Sequence, residues 1–225
     1  MQRLFDLIFS SLALVVLAPL LLPLMLALRL TGEGEVFFRQ PRVGRGGKHF
    51  GLIKFATMLK DSPNIGTGTV TVANDPRVLP LGRFLRKTKL NELPQLINIW
   101  RGEMSVIGPR PQTQRCFDAF PAASQADIVR VPPGLSGIGS IVFRGEEHLY
   151  EGFEDPDWVY DTLIMPYKGE LERWYVANRS LWTYFALIGL TAWVVVFPRS
   201  GLIWRVFSGL PAPPSALAQQ LGYPA

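Results

Sequence analysis

Two uninterrupted apolar runs mark this chain, one near each end of the sequence. Residues 7–28 read LIFSSLALVVLAPLLLPLMLAL, about the twenty uncharged residues that a bilayer requires. Residues 181–197 read LWTYFALIGLTAWVVVF, which is near the lower limit for a crossing helix. The pattern predicts one membrane segment, followed later by an apolar helix that either lies in the interface or crosses.

Three interpretations of the first run compete: a cleaved signal peptide, a straight transmembrane helix, and a re-entrant helix that enters and leaves on the same side. Cleavage is disfavoured because Pro19 would directly follow the small residues Val16 and Ala18, and the apolar run continues beyond them. Pro19 and Pro23 stand one helical turn apart, and each removes a backbone donor, so we expect a break near Pro19. A kinked spanning helix stays an alternative because membranes tolerate proline.

Between the runs the pattern changes to short, mixed elements. Residues 34–40 (GEVFFRQ) and 49–55 (HFGLIKF) predict two strands joined by the turn VGRGGK, and therefore a β-hairpin. Apolar residues at helical spacing predict one helix around residues 81–85 and another around 93–100. Asn91 and Glu92 therefore fall at or just before a helix N-terminus.

The remaining segments are assigned from the same patterns. Residues 155–178 are typical of a helical region whose apolar face packs into a core through Leu163, Ile164, Tyr167 and Leu171, with Asp155 and Asp157 as weaker ligand candidates. The proline-rich, uncharged end of the chain predicts an irregular tail. The predicted organisation is a membrane helix (1–32), a folded domain (33–180), an apolar helix (181–198) and a tail (199–225).

Composition excludes several classes of protein. Of 225 residues, 48% are hydrophobic and 18% charged, which excludes intrinsic disorder. The lone Cys116 and the two separated histidines exclude an internal disulfide framework and disfavour a zinc site. The net charge of +5 suggests an anionic partner, but no recognisable nucleic-acid module accompanies it, so no nucleic-acid partner is expected.

The positive charge is concentrated where it can meet phosphate. It follows the first apolar run, which by the positive-inside rule places the main body in the cytoplasm, and it surrounds the helix terminus at Asn91. A helix N-terminus and arginine side chains both bind phosphate, whereas the alternative is a solvated basic face against lipid headgroups. The basic residues concerned are Arg29, Arg39, Arg42, Arg45, Lys48, Lys54, Arg83, Arg86, Lys87, Lys89, Arg101 and Arg110.

Three longer runs carry a resemblance. VFFRQPRVGRGGKHFGLIKFATM, NDPRVLPLGRFLRKTKLNELPQLINIWRGEMSVIGPRPQ and VPPGLSGIGSIVFRG resemble, in this order, the bacterial sugar transferase family, the small monotopic phosphoglycosyl transferases. The resemblance implies an α+β monotopic membrane protein with a re-entrant helix broken at Pro19. It also implies a compact, helix-rich cytoplasmic domain with a small β-hairpin and interfacial amphipathic helices.

The resemblance further implies a reaction and its partners. A sugar 1-phosphate would pass from a nucleoside diphosphate sugar, expected to be a UDP-sugar, to undecaprenyl phosphate with the help of Mg²⁺. The reaction would take place at the cytoplasmic face of the bacterial inner membrane and initiate a cell-surface glycan. Substrate contacts are expected from Lys54, Arg86, Arg110 and Arg144. A homodimer is one possible assembly.

The chain departs from the family at the catalytic centre. The family has an adjacent Asp-Glu pair, in which the aspartate attacks the sugar-bearing phosphate and the glutamate helps to hold magnesium, whereas this chain has Asn91-Glu92. A carboxamide is a much weaker nucleophile than a carboxylate. A smaller departure is Ala56, where the family commonly has arginine.

Three outcomes follow from Asn91. Glu92, Asp75 or Glu103 replaces the missing nucleophile, or the lipid phosphate attacks the donor directly while Asn91 orients it, or catalysis is lost. In the last case the protein would be a silent member of the family that binds nucleotide sugar or lipid phosphate as a regulator.

Overall fold

A computed structural model describes residues 1–65, 75–145, 149, 155–198 and 200–224. It is a mixed helix and sheet structure whose strands are β1 (Phe37–Val43), β2 (His49–Phe55), β3 (Ser105–Ile107) and β4 (Gly134–Ser136). Its helices are α1 (Gln2–Leu30), α2 (Pro80–Lys87), α3 (Gln95–Arg101), α4 (Gln114–Asp118), α5 (Ala122–Ile128), α6 (Ile138–Val142), α7 (Pro156–Val159), α8 (Met165–Ala177), α9 (Leu181–Val196), α10 (Leu202–Val206) and α11 (Ser215–Ala218).

The elements predicted from local patterns are confirmed. β1 and β2 pair as the expected hairpin, and its turn contains Gly46 and Gly47 with φ of 70° and 72°, values that favour glycine. The two predicted helices are α2 and α3, and residues 90–92 form a 3₁₀ turn immediately before α3. Ile164, Tyr167 and Leu171 are buried in the helical region that ends with α8.

Contacts divide the chain into two units. The small unit comprises residues 5–41 and 51–101, and the large unit comprises residues 1–4, 42–50 and 102–225. α1 is long and apolar enough to cross a membrane, judged by length and composition, and its 29 residues correspond to about 43 Å of helix. Only 6% of its most apolar window is buried, which is typical of a helix that faces lipid.

The small unit is organised around one apolar cluster. Leu21 and Leu28 of α1, Phe55 of β2 and Leu85 of α2 form its buried centre. Leu90 and Leu93, which flank the 3₁₀ turn, pack against the same centre. The cluster therefore joins α1, the second hairpin strand, α2 and the segment before α3 into one body.

The large unit contains a β-crossover-β arrangement. β3 and β4 pair in parallel, with Ser105 opposite Gly134 and Ile107 opposite Ser136, and the connection runs through α4 and α5. α8 packs on α5 and α6, and α9 contacts α6, β3 and β4. These contacts explain why α8 and α9 bury one side each.

The end of the chain is not wholly irregular, because α10 and α11 lie in it. Phe207 packs edge to face against Trp174 of α8 and Trp182 of α9, with ring centroids 5.3 and 5.1 Å away. Leu217 of α11 is fully buried, and the Tyr167 hydroxyl donates to the carbonyl of Pro211 at 2.9 Å. The tail thus covers α8 and the start of α9.

Candidate active site

The small unit carries four of the predicted site residues on elements that share the apolar cluster. Lys54 lies on β2 beside Phe55, Arg86 follows Leu85 on α2, and Asn91 and Glu92 lie between the cluster residues Leu90 and Leu93. Lys54, Arg86 and Glu92 are partly exposed. The Arg86 guanidinium also contacts the sulfur of Met58, with Nη1 and Sδ 3.4 Å apart.

A buried asparagine fixes α3 to the strand that carries Lys54. The Asn98 side chain is completely buried; its Oδ1 accepts the N–H of Ile53 and its Nδ2 donates to the carbonyl of Gly51, both at 2.9 Å. Both backbone groups belong to β2 and lie shortly before Lys54 in that strand. The two hydrogen bonds therefore hold the helix that follows Asn91-Glu92 against the strand.

The turn at Asn91-Glu92 requires an unusual backbone conformation. Lys89 has φ of 60° and is the one described residue other than glycine with a positive φ. A side chain in this region costs about 1 kcal/mol or more. The left-handed residue ends α2 and starts the 3₁₀ turn, which directs Asn91 inward.

Asn91 is the buried member of the pair. Its side chain is 8% exposed, and its Oδ1 accepts no hydrogen bond from the described residues. Glu92 is half-buried, and its Oε2 accepts from the Gln95 amide at 3.3 Å. The pair therefore presents a buried carboxamide oxygen beside a carboxylate that a glutamine orients.

One of the alternative nucleophiles, Asp75, has another role. Both carboxylate oxygens of Asp75 are bound by Arg77: Nε donates to Oδ1 at 2.8 Å and Nη2 to Oδ2 at 2.5 Å, and both side chains are buried. Arg77 Nη1 also donates to the carbonyls of Ser62 and Ile65, at 2.7 Å each. Asp75 is thus a structural anchor of its loop.

The large unit carries Arg110 and Arg144 on loops held together by glycines. A Cβ on Gly108 would lie 2.6 Å from the carbonyl oxygen of Pro132, and one on Gly137 would lie 3.0 Å from the carbonyl carbon of Gly108. The Gly108 N–H donates to the backbone carbonyl of Ser136 at 2.9 Å. The loop Gly108–Pro111 can therefore lie directly on the Pro133–Gly137 loop, from which α6 leads to Arg144. Both arginine side chains are exposed.

The residues around Asn91 are compatible with Mg²⁺. The described residues contain no cluster of three or more His, Cys, Asp or Glu side chains that could enclose a metal on their own. Mg²⁺ is usually held by only one or two carboxylates together with substrate phosphates, and it prefers oxygen ligands. The Glu92 carboxylate and the unpaired Oδ1 of Asn91 are such ligands, so a substrate-completed site fits.

Two further sequence candidates fall at the edge of the described structure. Asp155 Oδ1 accepts the N–H of Trp158 at 3.0 Å, so this carboxylate caps α7. The side chain of Asp157 lies outside the described residues.

Sequence reasoning missed two buried ionisable residues in α8. Lys168 and Glu172 are 5% and 1% exposed. The sequence did contain a signal. Positions 165, 168, 172 and 175 are spaced by three, four and three residues, so Lys168 and Glu172 lie on the same helix face as the apolar Met165 and Tyr175. Charged residues on a buried face are exceptional and indicate a paired or functional role.

Comparison with known proteins gives the family. The model of the bacterial sugar transferase family matches residues 1–198. The chain is 35% identical to the undecaprenyl-phosphate glucose phosphotransferase of Komagataeibacter xylinus, over 88% of this chain and 36% of that protein. It is 38% identical to the UDP-N-acetylgalactosamine-undecaprenyl-phosphate N-acetylgalactosaminephosphotransferase of Aeromonas hydrophila, over 76% of this chain and 38% of that protein.

A shorter relative is covered more completely. The exopolysaccharide production protein ExoY of Rhizobium meliloti strain 1021 is 36% identical, over 64% of this chain and 70% of that protein. The chain spans less than half the length of the two phosphotransferases. The family match covers every predicted site residue, from Pro19 to Arg144. This chain therefore belongs to the bacterial sugar transferase family.

Proposed function

We propose that this protein transfers a sugar 1-phosphate from a UDP-sugar to undecaprenyl phosphate and so initiates a cell-surface glycan. The observation that carries the proposal is the turn at Asn91-Glu92, which presents a buried, unpaired carboxamide oxygen and an oriented carboxylate on the same unit as Lys54 and Arg86. Relatives that act on undecaprenyl phosphate support the acceptor. Their names differ in the sugar, so the sugar is left unassigned.

The reaction is proposed to proceed without a covalent enzyme intermediate. Asn91 is neutral and Asp75 is occupied by Arg77, so a phosphate oxygen of the lipid attacks the sugar-bearing phosphorus. A new P–O bond forms there, the bond between that phosphorus and the bridging oxygen breaks, and UMP leaves with the bridging oxygen and the bonding electrons. Lys54, Arg86, Arg110 and Arg144 bind the anionic groups, which is the main demand of phosphoryl transfer.

Glu92 and the carboxamide oxygen of Asn91 would hold Mg²⁺. When bound, the ion neutralises charge on the diphosphate. Asn91 additionally orients the attacking phosphate by donating from its amide group, and Gln95 keeps the Glu92 carboxylate in place.

The test is release of UMP by the full chain in nanodiscs with undecaprenyl phosphate, Mg²⁺ and a panel of UDP-sugars. Glu92→Gln should lower the rate about 10²-fold or more, because a charge that acts on the transferring phosphate is lost. Glu35→Gln is the matched control, since this carboxylate is exposed and pairs with Lys60, which is also exposed. Absence of UMP with every donor would refute the enzyme and leave the regulatory alternative.

The variant Asn91→Asp distinguishes direct transfer to the lipid from a mechanism with a covalent phosphosugar-enzyme intermediate. We expect slower UMP release, because a second negative charge would face the attacking phosphate. Intact mass measured during turnover of the wild type should show no phosphosugar adduct. A faster variant, or a trapped adduct on Glu92, would contradict direct transfer.

We also propose that α1 is re-entrant. At its start, Gln2 donates to Ser105 Oγ and to the carbonyl of Ile107, at 3.0 and 3.1 Å. At its end, Leu28 is buried against Phe55 and the rest of the apolar cluster. The described residues between Phe55 and Ser105 contain no helix that could cross a bilayer, so both ends of α1 should be cytoplasmic.

Cysteine labelling tests this topology. In a Cys116→Ser background, Arg3→Cys and Glu33→Cys should both resist an impermeant maleimide added to spheroplasts and react after lysis. Labelling of the first position alone from outside would establish a spanning helix instead.

An interfacial position is proposed for α9. Its 16 residues correspond to about 24 Å, which is short of the hydrocarbon thickness. Tyr184, Leu187 and Leu190 are buried on one side, and Thr191 meets Ser136 of β4 with the two oxygens 2.8 Å apart. The opposite side exposes Trp182, Phe185 and other apolar residues, which suits contact with the headgroup boundary.

A further inference from the structure

Glu172 is a carboxyl group enclosed in the large unit. It lies in the middle of α8, is 1% exposed, and is not among the residues expected to touch substrate. The backbone N–H groups of Arg110 and Gly139 donate to it. Its Oε2 has no hydrogen-bond partner among the described residues, so both donors converge on Oε1.

The surroundings leave little room for movement of this group. A Cβ on Gly139 would lie 3.3 Å from Glu172 Cδ, 3.4 Å from Lys168 Cγ, and closer still to Oε1. Lys168 lies one turn earlier on α8, and its ammonium stands 4.7 Å from the ring centroid of Phe143. The glycine thus permits direct contact between α6 and the carboxyl group.

The charge state of Glu172 follows from this enclosure. Burial raises its pKa to about 8, against the opposing effects of Lys168 and the two backbone donors. Burial, and to a smaller extent the nearby Glu172, raises the pKa of the Tyr175 hydroxyl on the same helix. At neutral pH the group is therefore mostly protonated, and Oε1 remains a carbonyl-type acceptor for both N–H groups.

Arg110 gives this contact a functional meaning. Its backbone N–H is held by Glu172, whereas its side chain is exposed. Pro109 and Pro111 on either side lack an N–H, so Arg110 supplies the donor in the centre of the Gly108–Pro111 loop. Without Glu172, the N–H groups of Arg110 and Gly139 would lose this acceptor, and the centre of the loop would lose the hydrogen bond that fixes it.

We propose that Glu172 is a positioning residue for the UDP-sugar site: by holding the backbone of Arg110 and Gly139, it fixes the direction in which the Arg110 side chain leaves its loop. This inference rests on the proposed function, because it assigns Arg110 to the donor diphosphate. Glu172 itself does not touch substrate.

Kinetic constants of three variants test the proposal. Glu172→Leu should raise KM for the UDP-sugar about tenfold with a smaller change in kcat, since a mispositioned arginine weakens binding of the donor. Glu172→Gln keeps Oε1 and resembles the protonated acid, so it should restore the wild-type KM. Glu170→Leu, an exposed acidic residue two positions away, is the matched control and should leave KM unchanged.

Hydrogen exchange of the segment 108–113 supplies a readout that needs no activity. Exchange should be fast in Glu172→Leu and slow in the wild type, in Glu172→Gln and in Glu170→Leu. Where Glu172→Leu does not fold, Gly139→Ala replaces it, because the added methyl group displaces the carboxyl group from the same donors.

The outcomes separate this inference from the proposed function. A wild type that releases no UMP refutes the proposed function, and hydrogen exchange still tests the contact. Unchanged KM in Glu172→Leu with only a lower melting temperature would overturn the positioning role. Unchanged protection of residues 108–113 would overturn it as well.

Discussion

Gly82 provides a sharp test of how the small unit holds Arg86, because helix propensity and packing predict opposite signs. Gly82 is buried within α2, and a Cβ there would lie 2.8 Å from the carbonyl carbon of Thr57, 2.9 Å from its Cα, and closer still to its oxygen. The same carbonyl accepts the N–H of Leu79 at 3.0 Å. An alanine would therefore force α2 away from the backbone after β2 by more than about half an ångström, since such contacts are ordinarily at least about 3.5 Å.

The magnitude follows from two competing effects. Alanine favours the helix by about 1 kcal/mol relative to glycine. Overpacking against backbone costs about 3 kcal/mol at the upper end of its usual range, and here it also draws the fully buried Leu85 out of the apolar cluster. Gly82→Ala should therefore lower the free energy of unfolding by about 2 kcal/mol, or the melting temperature by about 4–8 °C for a chain of this size.

The assay is thermal unfolding in nanodiscs followed by tryptophan fluorescence, with UMP release measured in parallel. Gly189→Ala in α9 is the matched control, because it makes the same substitution within a helix but meets nothing within 4 Å. The control should be as stable as the wild type or slightly more so. A Gly82→Ala protein that melts at or above the wild-type temperature, with full activity, would refute the packing argument.

Three further predictions concern other parts of the fold. Arg77→Leu should lower the melting temperature more than Asp75→Asn, because it also frees two carbonyls, and a pure kcat loss in Asp75→Asn at unchanged melting temperature would restore Asp75 as a nucleophile. Phe207→Ala should cost about 3 kcal/mol on unfolding, since a buried aromatic is lost; a shift below 1 °C would mean that the tail does not stabilise α8. Between about pH 5 and pH 8 native Glu172 keeps a proton that the unfolded chain has released, so the free energy of unfolding should fall as pH rises. Urea titrations should show this slope in the wild type and a flatter one in Glu172→Gln, and equal slopes would contradict the raised pKa.

The candidate site illustrates which inferences a linear sequence supports. The hairpin, α2, α3 and the placement of Asn91-Glu92 before α3 were predicted correctly, because alternation, helical spacing and proline or glycine positions act over a few residues. The assignment of Lys54, Arg86, Arg110 and Arg144 to substrate came from motif resemblance and stays a prediction. Asp75 seemed equivalent to Glu92 as a replacement nucleophile because both are acidic and nearby in sequence.

The tertiary structure distinguishes between polar residues that the sequence alone could not rank as site candidates. The carboxylate of Asp75 is bound by Arg77, whereas the carboxamide oxygen of Asn91 is buried and has no hydrogen-bond partner among the described residues. In the sequence, Glu172 is one more acidic residue on a predicted helix. The structure shows that it is buried and that its two backbone donors are 62 and 33 residues away in the chain.

The sequence by itself determined the family, the apolar α1 and the local elements, because these depend on composition, periodicity and ordered motifs. Only the tertiary structure decided which carboxyl groups are structural, how closely the glycine loops approach, and that the tail packs on α8. The physical reason is that burial, hydrogen-bond partners and pKa depend on neighbours that are distant in the chain. The charge of +5 could be counted from the sequence, but the partners of each charge are set by the fold.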